Sequence, residues 1–194
     1  MTVTFATKCW GGDYYKFLLG AYERKLEALE YIFDEDYLVV NNGVPEDTSF
    51  QFDTVMVGKS LYNHYASGEI KALQAASTDY LCFVQGDCLT SGGNWIDTGI
   101  EVLQSEPEVL IVSPASEVNT WHDHNGYDHY CSDQAFVVRV ADFMNPEVYQ
   151  VPGVDPDYPD YGGNSFEAMV GRYLKYTGKK RKILTDFYVH HPAY

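Results

Sequence analysis

Basic residues are scarce in this 194-residue chain: 13 Lys and Arg stand against 28 Asp and Glu, a formal net charge of −15 with the 6 His taken as neutral. Such a surface repels phosphate backbones and anionic headgroups, which argues against nucleic acid and anionic membranes as partners. With so few cations to offer, a small anionic substrate would need a local clamp or a metal. Cysteine is nearly as scarce: Cys9, Cys82, Cys88 and Cys131 are the only four, and they are scattered. That favours free thiols in a reducing, cytoplasmic setting over a disulfide framework. No apolar run approaches the length that crosses a bilayer. The opening "MTVTFATKCW" lacks the charged start and long apolar segment of a secretory signal, so a soluble chain is expected. Internal repeats and linker-like stretches are also missing, and one domain over 1–194 is the expectation. A domain of this size buries roughly 70% of its unfolded surface and needs no covalent or metal staple.

The apolar residues that are present alternate between two periods. "TVTFA" reads as a strand that leads into Gly11 and Gly12, and apolar residues from Tyr14 to Leu29 then recur at helical spacing with Lys25 as the polar intruder on that face. "DYLVVNNG" reads as the second strand, "FDTVMVG" as a short third, and Leu61 to Ala76 as a helix. "DYLCFV" is a continuous apolar strand of the kind covered on both faces. A helix around Ile96 to Leu103, strands at "EVLIVSP" and "QAFVVRV", a final helix carrying Phe166, Met169, Val170, Tyr173 and Leu174, and a final strand "RKILTDFYVHH" complete the order. Alternation of this kind predicts an α/β fold with a mostly parallel central sheet flanked by helices, binding ligands at the carboxyl ends of its strands.

One carboxylate stands at such an end. The run "STDYLCFV" stops at "QGDC", which puts Asp87 just past a buried strand. An Asp there also suits an ordinary Asx turn. In context, "ALQAASTDYLCFVQGDC" resembles the segment of GT-A fold glycosyltransferases in which a helix and a strand lead to an Asp-x-Asp motif, with Gln85 here in place of the first Asp. The compactness of the chain is similar to that of bacterial or large-virus members.

The resemblance implies a single GT-A-like (Rossmann-like) domain, with a nucleotide-sugar half over about 1–90 and an acceptor half over about 91–194. It implies Mn²⁺ or Mg²⁺ held by Asp87 and by His190 or His191 of the terminal "VHHPAY", against the diphosphate of a nucleotide-sugar donor, most simply a UDP-sugar. It also implies donor contacts from Thr7, Lys8, Trp10, Asn41, Asp53, Lys71 and Gln85. In "YGGNSFEAMVG", Glu167 takes the place of the general base that deprotonates the acceptor hydroxyl, with Asp133 in reserve. Glu167 three residues after Asn164 equally fits a capping box.

His122, His124, His129 and Cys131 in "WHDHNGYDHYC" match no paired zinc spacing, and this aromatic loop reads better as a lip for the acceptor glycan. The expected function is metal-dependent transfer of a sugar to a glycan hydroxyl, with inversion. Beside it stand a retaining transferase, and a non-catalytic metal- or carbohydrate-binding module. The chain could also be one piece of a longer multidomain protein.

Overall fold

A computed structural model of the chain describes residues 1–10, 24–41, 53–56, 67–90, 92, 94–116, 134–145, 147–150 and 166–190. The strands among them are β1 (Val3–Trp10), β2 (Glu35–Asn41), β3 (Asp53–Met56) and β4 (Tyr80–Val84). They continue as β5 (Leu89–Thr90), β6 (Val109–Ala115), β7 (Ala135–Arg139) and β8 (Lys180–His190). The helices are α1 (Ser67–Ala75), α2 (Asn94–Ser105), two short turns α3 (Val140–Phe143) and α4 (Glu147–Gln150), and α5 (Phe166–Thr177), with residues 24–29 helical as well.

All eight strands lie in one sheet, ordered β3-β2-β1-β4-β7-β6-β8-β5. Strands β3, β2, β1 and β4 run parallel, as do β6 and β8. Strand β7 is inserted antiparallel between β4 and β6, and the two-residue β5 pairs antiparallel with β8. The mostly parallel sheet expected from the sequence is present, with β7 as its central exception.

Alternation of side chains sorts the core into two layers. Leu81 and Phe83 of β4 face one side, with Ala72 and Leu73 of α1 and Phe166, Val170 and Leu174 of α5. Tyr80, Cys82 and Val84 face the other, with Leu29 and with Trp95, Ile96, Ile100 and Leu103 of α2. All five residues of β4 are therefore buried, which explains its unbroken apolar run.

On the first face an aromatic series runs from Phe83 to Phe136 and from Phe136 to Phe166, each pair stacked with centroids 5.1 Å apart; Phe143 joins Phe166 at 5.9 Å. Fully burying each such ring is worth about 1.5–3 kcal/mol. The series fixes the first residue of α5 against the middle of the sheet. At its far end α5 stops at Gly178, whose φ of 71° suits a residue without Cβ and whose N–H donates to the Leu174 carbonyl at 2.9 Å.

The strand directions then define two edges. The carboxyl ends of β1, β2, β3, β4, β6 and β8 share one edge with the amino end of β7. Because α5 leads into β8 at Lys180, which pairs with Val109 at the start of β6, the amino end of α5 also lies on the carboxyl edge.

Candidate active site

Beyond Val84 the chain leaves the ladder and turns. The Gln85 N–H donates to the Gln134 carbonyl at 2.7 Å, and the Cys88 N–H donates back to the Gln85 carbonyl at 2.9 Å. This turn carries Asp87, half-buried, toward the carboxyl edge. Buried beneath it is Lys25, only 5% exposed, whose ammonium donates to the Gln85 carbonyl at 2.7 Å and to the Gly86 carbonyl at 2.8 Å. Burial lowers the Lys25 pKa to about 8, with the Cys88 and Asp87 side chains pulling it upward. The Cys88 Sγ lies 3.8 Å from both Gln85 Oε1 and Asp87 Oδ1. Cys82 and Cys88 are buried thiols outside any disulfide, and burial pushes the Cys82 thiol well up.

The last strand comes to the same turn. Leu89 pairs with His190 and Thr90 with Val189, so the β8 terminus lies beside the segment that follows Asp87. The His190 side chain is exposed there, and His191 falls outside the described residues. Glu167, half-buried in the first turn of α5, is brought to the same edge by the Phe166 stack. Asp133 precedes Gln134 but is outside the described residues, as is the loop carrying His122, His124, His129 and Cys131.

At β1 the two faces separate the expected donor contacts. Thr7 is buried, and its hydroxyl has no hydrogen-bond partner among the described residues. Lys8, on the opposite face, is buried against the carboxylate of Glu69 in the first turn of α1. Its ammonium is therefore engaged within the protein, a partner that the sequence did not disclose. Gly68 leaves room for this: a Cβ there would come within 3.1 Å of the Lys8 Cδ.

Trp10 and Asn41 are paired at the carboxyl ends of β1 and β2. Asp53 begins β3 level with Tyr37, toward the middle of the sheet and away from that edge. Lys71 is exposed on α1, and Gln85 is half-buried in the turn.

Among the described residues no three His, Cys, Asp or Glu side chains converge as a ready-made metal cage. The hard oxygen of Asp87 on a half-buried turn instead suits a Mg²⁺-like or Mn²⁺-like ion that takes one or two protein ligands and completes its shell with phosphate and water. The edge thus carries the Asp87 carboxylate in its turn and the Glu167 carboxylate at a helix start.

No protein-family model matches the sequence, and no curated protein matches it. Solved structures do. A mannosyltransferase from Pyrobaculum calidifontis in complex with GDP-Man and Mn²⁺ superposes with a TM-score of 0.62 at 13% identity, over 95% of this chain and 55% of that one. Glucosyl-3-phosphoglycerate synthase from Mycobacterium tuberculosis, in complex with Mn²⁺ and UDP-glucose, gives 0.60 at 9% identity, over 95% and 68%. CMP:2-keto-3-deoxy-manno-octonic acid synthetase complexed with CTP gives 0.58 at 11% identity, over 95% and 90%. The chain spans about half the length of the mannosyltransferase. It has the GT-A-like fold of the nucleotide-diphospho-sugar transferases.

Proposed function

We propose that the chain transfers a sugar from a nucleotide diphosphate donor, a UDP-sugar, to a glycan hydroxyl with inversion at the anomeric carbon. The observation that carries this is the gathering of Asp87, the β8 terminus and Glu167 on the carboxyl edge of a fold whose solved relatives hold Mn²⁺ with UDP- or GDP-sugars. Asp87, with His190 or His191, would hold the cation. A divalent cation supplies charge neutralisation to the departing diphosphate. Trp10 and Asn41 lie at the strand ends where the donor nucleoside would rest and Thr7 lies buried within β1 behind them, whereas the Lys8 ammonium is committed to Glu69. Glu167 accepts the acceptor proton as the hydroxyl oxygen bonds the anomeric carbon and the bond to the diphosphate breaks. Residues 1–90 serve the donor and 91–194 the acceptor in this reading.

A second reading, attachment of a nucleotide to a sugar with release of pyrophosphate, is favoured by the 90% of the CTP-bound synthetase that the chain covers. The two are separated by products: UDP from a UDP-sugar in one case, pyrophosphate from a nucleoside triphosphate in the other.

Thermal melts and turnover test the proposal together. UDP should raise the melting temperature only with a divalent cation present, and Asp87→Ala should remove that shift. Glu167→Gln should leave the shift intact while transfer falls by a factor of about 10²–10⁴. A cation-independent UDP shift in Asp87→Ala would overturn the metal assignment, and near-normal turnover in Glu167→Gln would return Glu167 to a helix-capping role.

A further inference from the structure

Lys25 is the one buried cation of the described core whose hydrogen bonds both end on backbone, and that backbone is the turn bearing Asp87. It sits on a helical stretch whose Leu29 is otherwise packed with Phe5, Cys82 and Trp95 in the apolar layer. Burying an ammonium there is costly unless its donors are satisfied. The two carbonyls explain the choice of residue. Past Val84 the strand ladder has ended, and successive carbonyls of a turn point where no neighbouring strand can pair them. An ammonium fans three donors from one point and can meet two adjacent carbonyls, which a planar guanidinium, with its fixed fork, does less well. The Gln85 carbonyl is also the acceptor of the Cys88 N–H, so the lysine and the turn's own closing hydrogen bond share one oxygen.

We propose that Lys25 is a positioning residue: its ammonium pins the Gln85 and Gly86 carbonyls and thereby fixes the turn that presents Asp87. Its effect on ligand binding rests on the proposed role of Asp87; its effect on the turn does not. The consequence is that one carboxylate, without the second that Gln85 replaces, is held ready in a fixed direction instead of being ordered only when a cation arrives.

The test compares wild type with Lys25→Met, which keeps length and packing without donors, and with Lys25→Arg. In metal-free protein, hydrogen exchange of the Cys88 amide should quicken about tenfold in Lys25→Met while the amides of β4 and β7 keep their wild-type rates. The Mn²⁺ concentration giving half of the UDP-induced thermal shift should rise about tenfold in the same variant, with Lys25→Arg intermediate in both readouts. Unchanged Cys88 exchange, or equal acceleration across β4 and β7, overturns the proposal by making Lys25 a general packing residue. If Lys25→Met does not fold, Lys25→Gln, which can reach one carbonyl only, is read by the same criteria. Absence of any Mn²⁺-dependent UDP shift in wild type overturns the functional reading, and Cys88 exchange alone then decides the role of Lys25.

Discussion

Lys8 and Glu69 show how much a single buried charge depends on its partner. Both side chains are almost fully buried, at 3% and 0% exposure, so each would face a large desolvation cost alone. Removing one member of such a pair typically costs about 3–5 kcal/mol, whereas replacing both with apolar residues of similar volume is often neutral. Glu69→Leu should therefore lower stability by about that amount, and adding Lys8→Met should recover most of it, as read from urea denaturation midpoints of the single and double variants. If the double variant is no more stable than the single, the ion pair is not what holds α1 to β1. At this scale the sequence is uneven. Asp87 is legible because an apolar run stops at it, and Lys25 because it interrupts an apolar helical face. Glu69 is not, because an acid in the first turn of a helix reads as a solvated partner of the helix dipole.

Glu35 acts between elements, at the edge opposite the candidate site. It begins β2, accepts from the Thr4 hydroxyl of β1 at 2.9 Å and from the Ser77 N–H at 3.0 Å, and also takes the Ser77 hydroxyl, just ahead of β4. Burial raises its pKa, but the hydrogen bonds from Ser77, Thr4 and Tyr37 outweigh it and hold the carboxyl below its ordinary 4.5. A carboxylate with a depressed folded pKa contributes stability above its unfolded pKa and loses it as pH falls through the folded value. The contribution of Glu35 should therefore be full at neutral pH and fade below about pH 4.5, and Glu35→Gln should flatten that part of the stability curve while lowering its plateau. Denaturation midpoints across that range, identical in slope for both proteins, would contradict the assignment. Strand existence was readable from such elements, but strand direction was not. The "AFVV" of β7 is as continuously buried as the "LCFV" of β4, and period and burial carry no information on which way a covered strand runs.

Across the whole molecule the charge is unevenly spread. Six of the 13 basic residues lie between Arg172 and Lys182, at the end of α5 and the start of β8, which is the edge away from Asp87. The acidic excess is correspondingly greater elsewhere, so a small anion approaching the carboxyl edge would meet few cations from the chain itself. The order of the main strands and helices followed from hydrophobic periodicity, and the place of Asp87 just past β4 from the abrupt end of that strand's apolar run. The partners of Lys8 and the seat of Lys25 did not, because they depend on which residues the sheet order brings level with one another.

The pairing of β5 with β8 has a kinetic side. Leu89 and His190 are about a hundred residues apart in the chain, and β4 must wait for β7 before its second edge is covered. Closing such long loops is entropically expensive before any contact rewards it, and folds dominated by distant pairings form slowly. During synthesis the Asp87 turn would emerge long before the strand that flanks it. Until β7 is made, about 50 residues later, the buried-strand sequence of β4 has one edge without its native partner, which leaves "YLCFV" open to pairing wrongly with another chain.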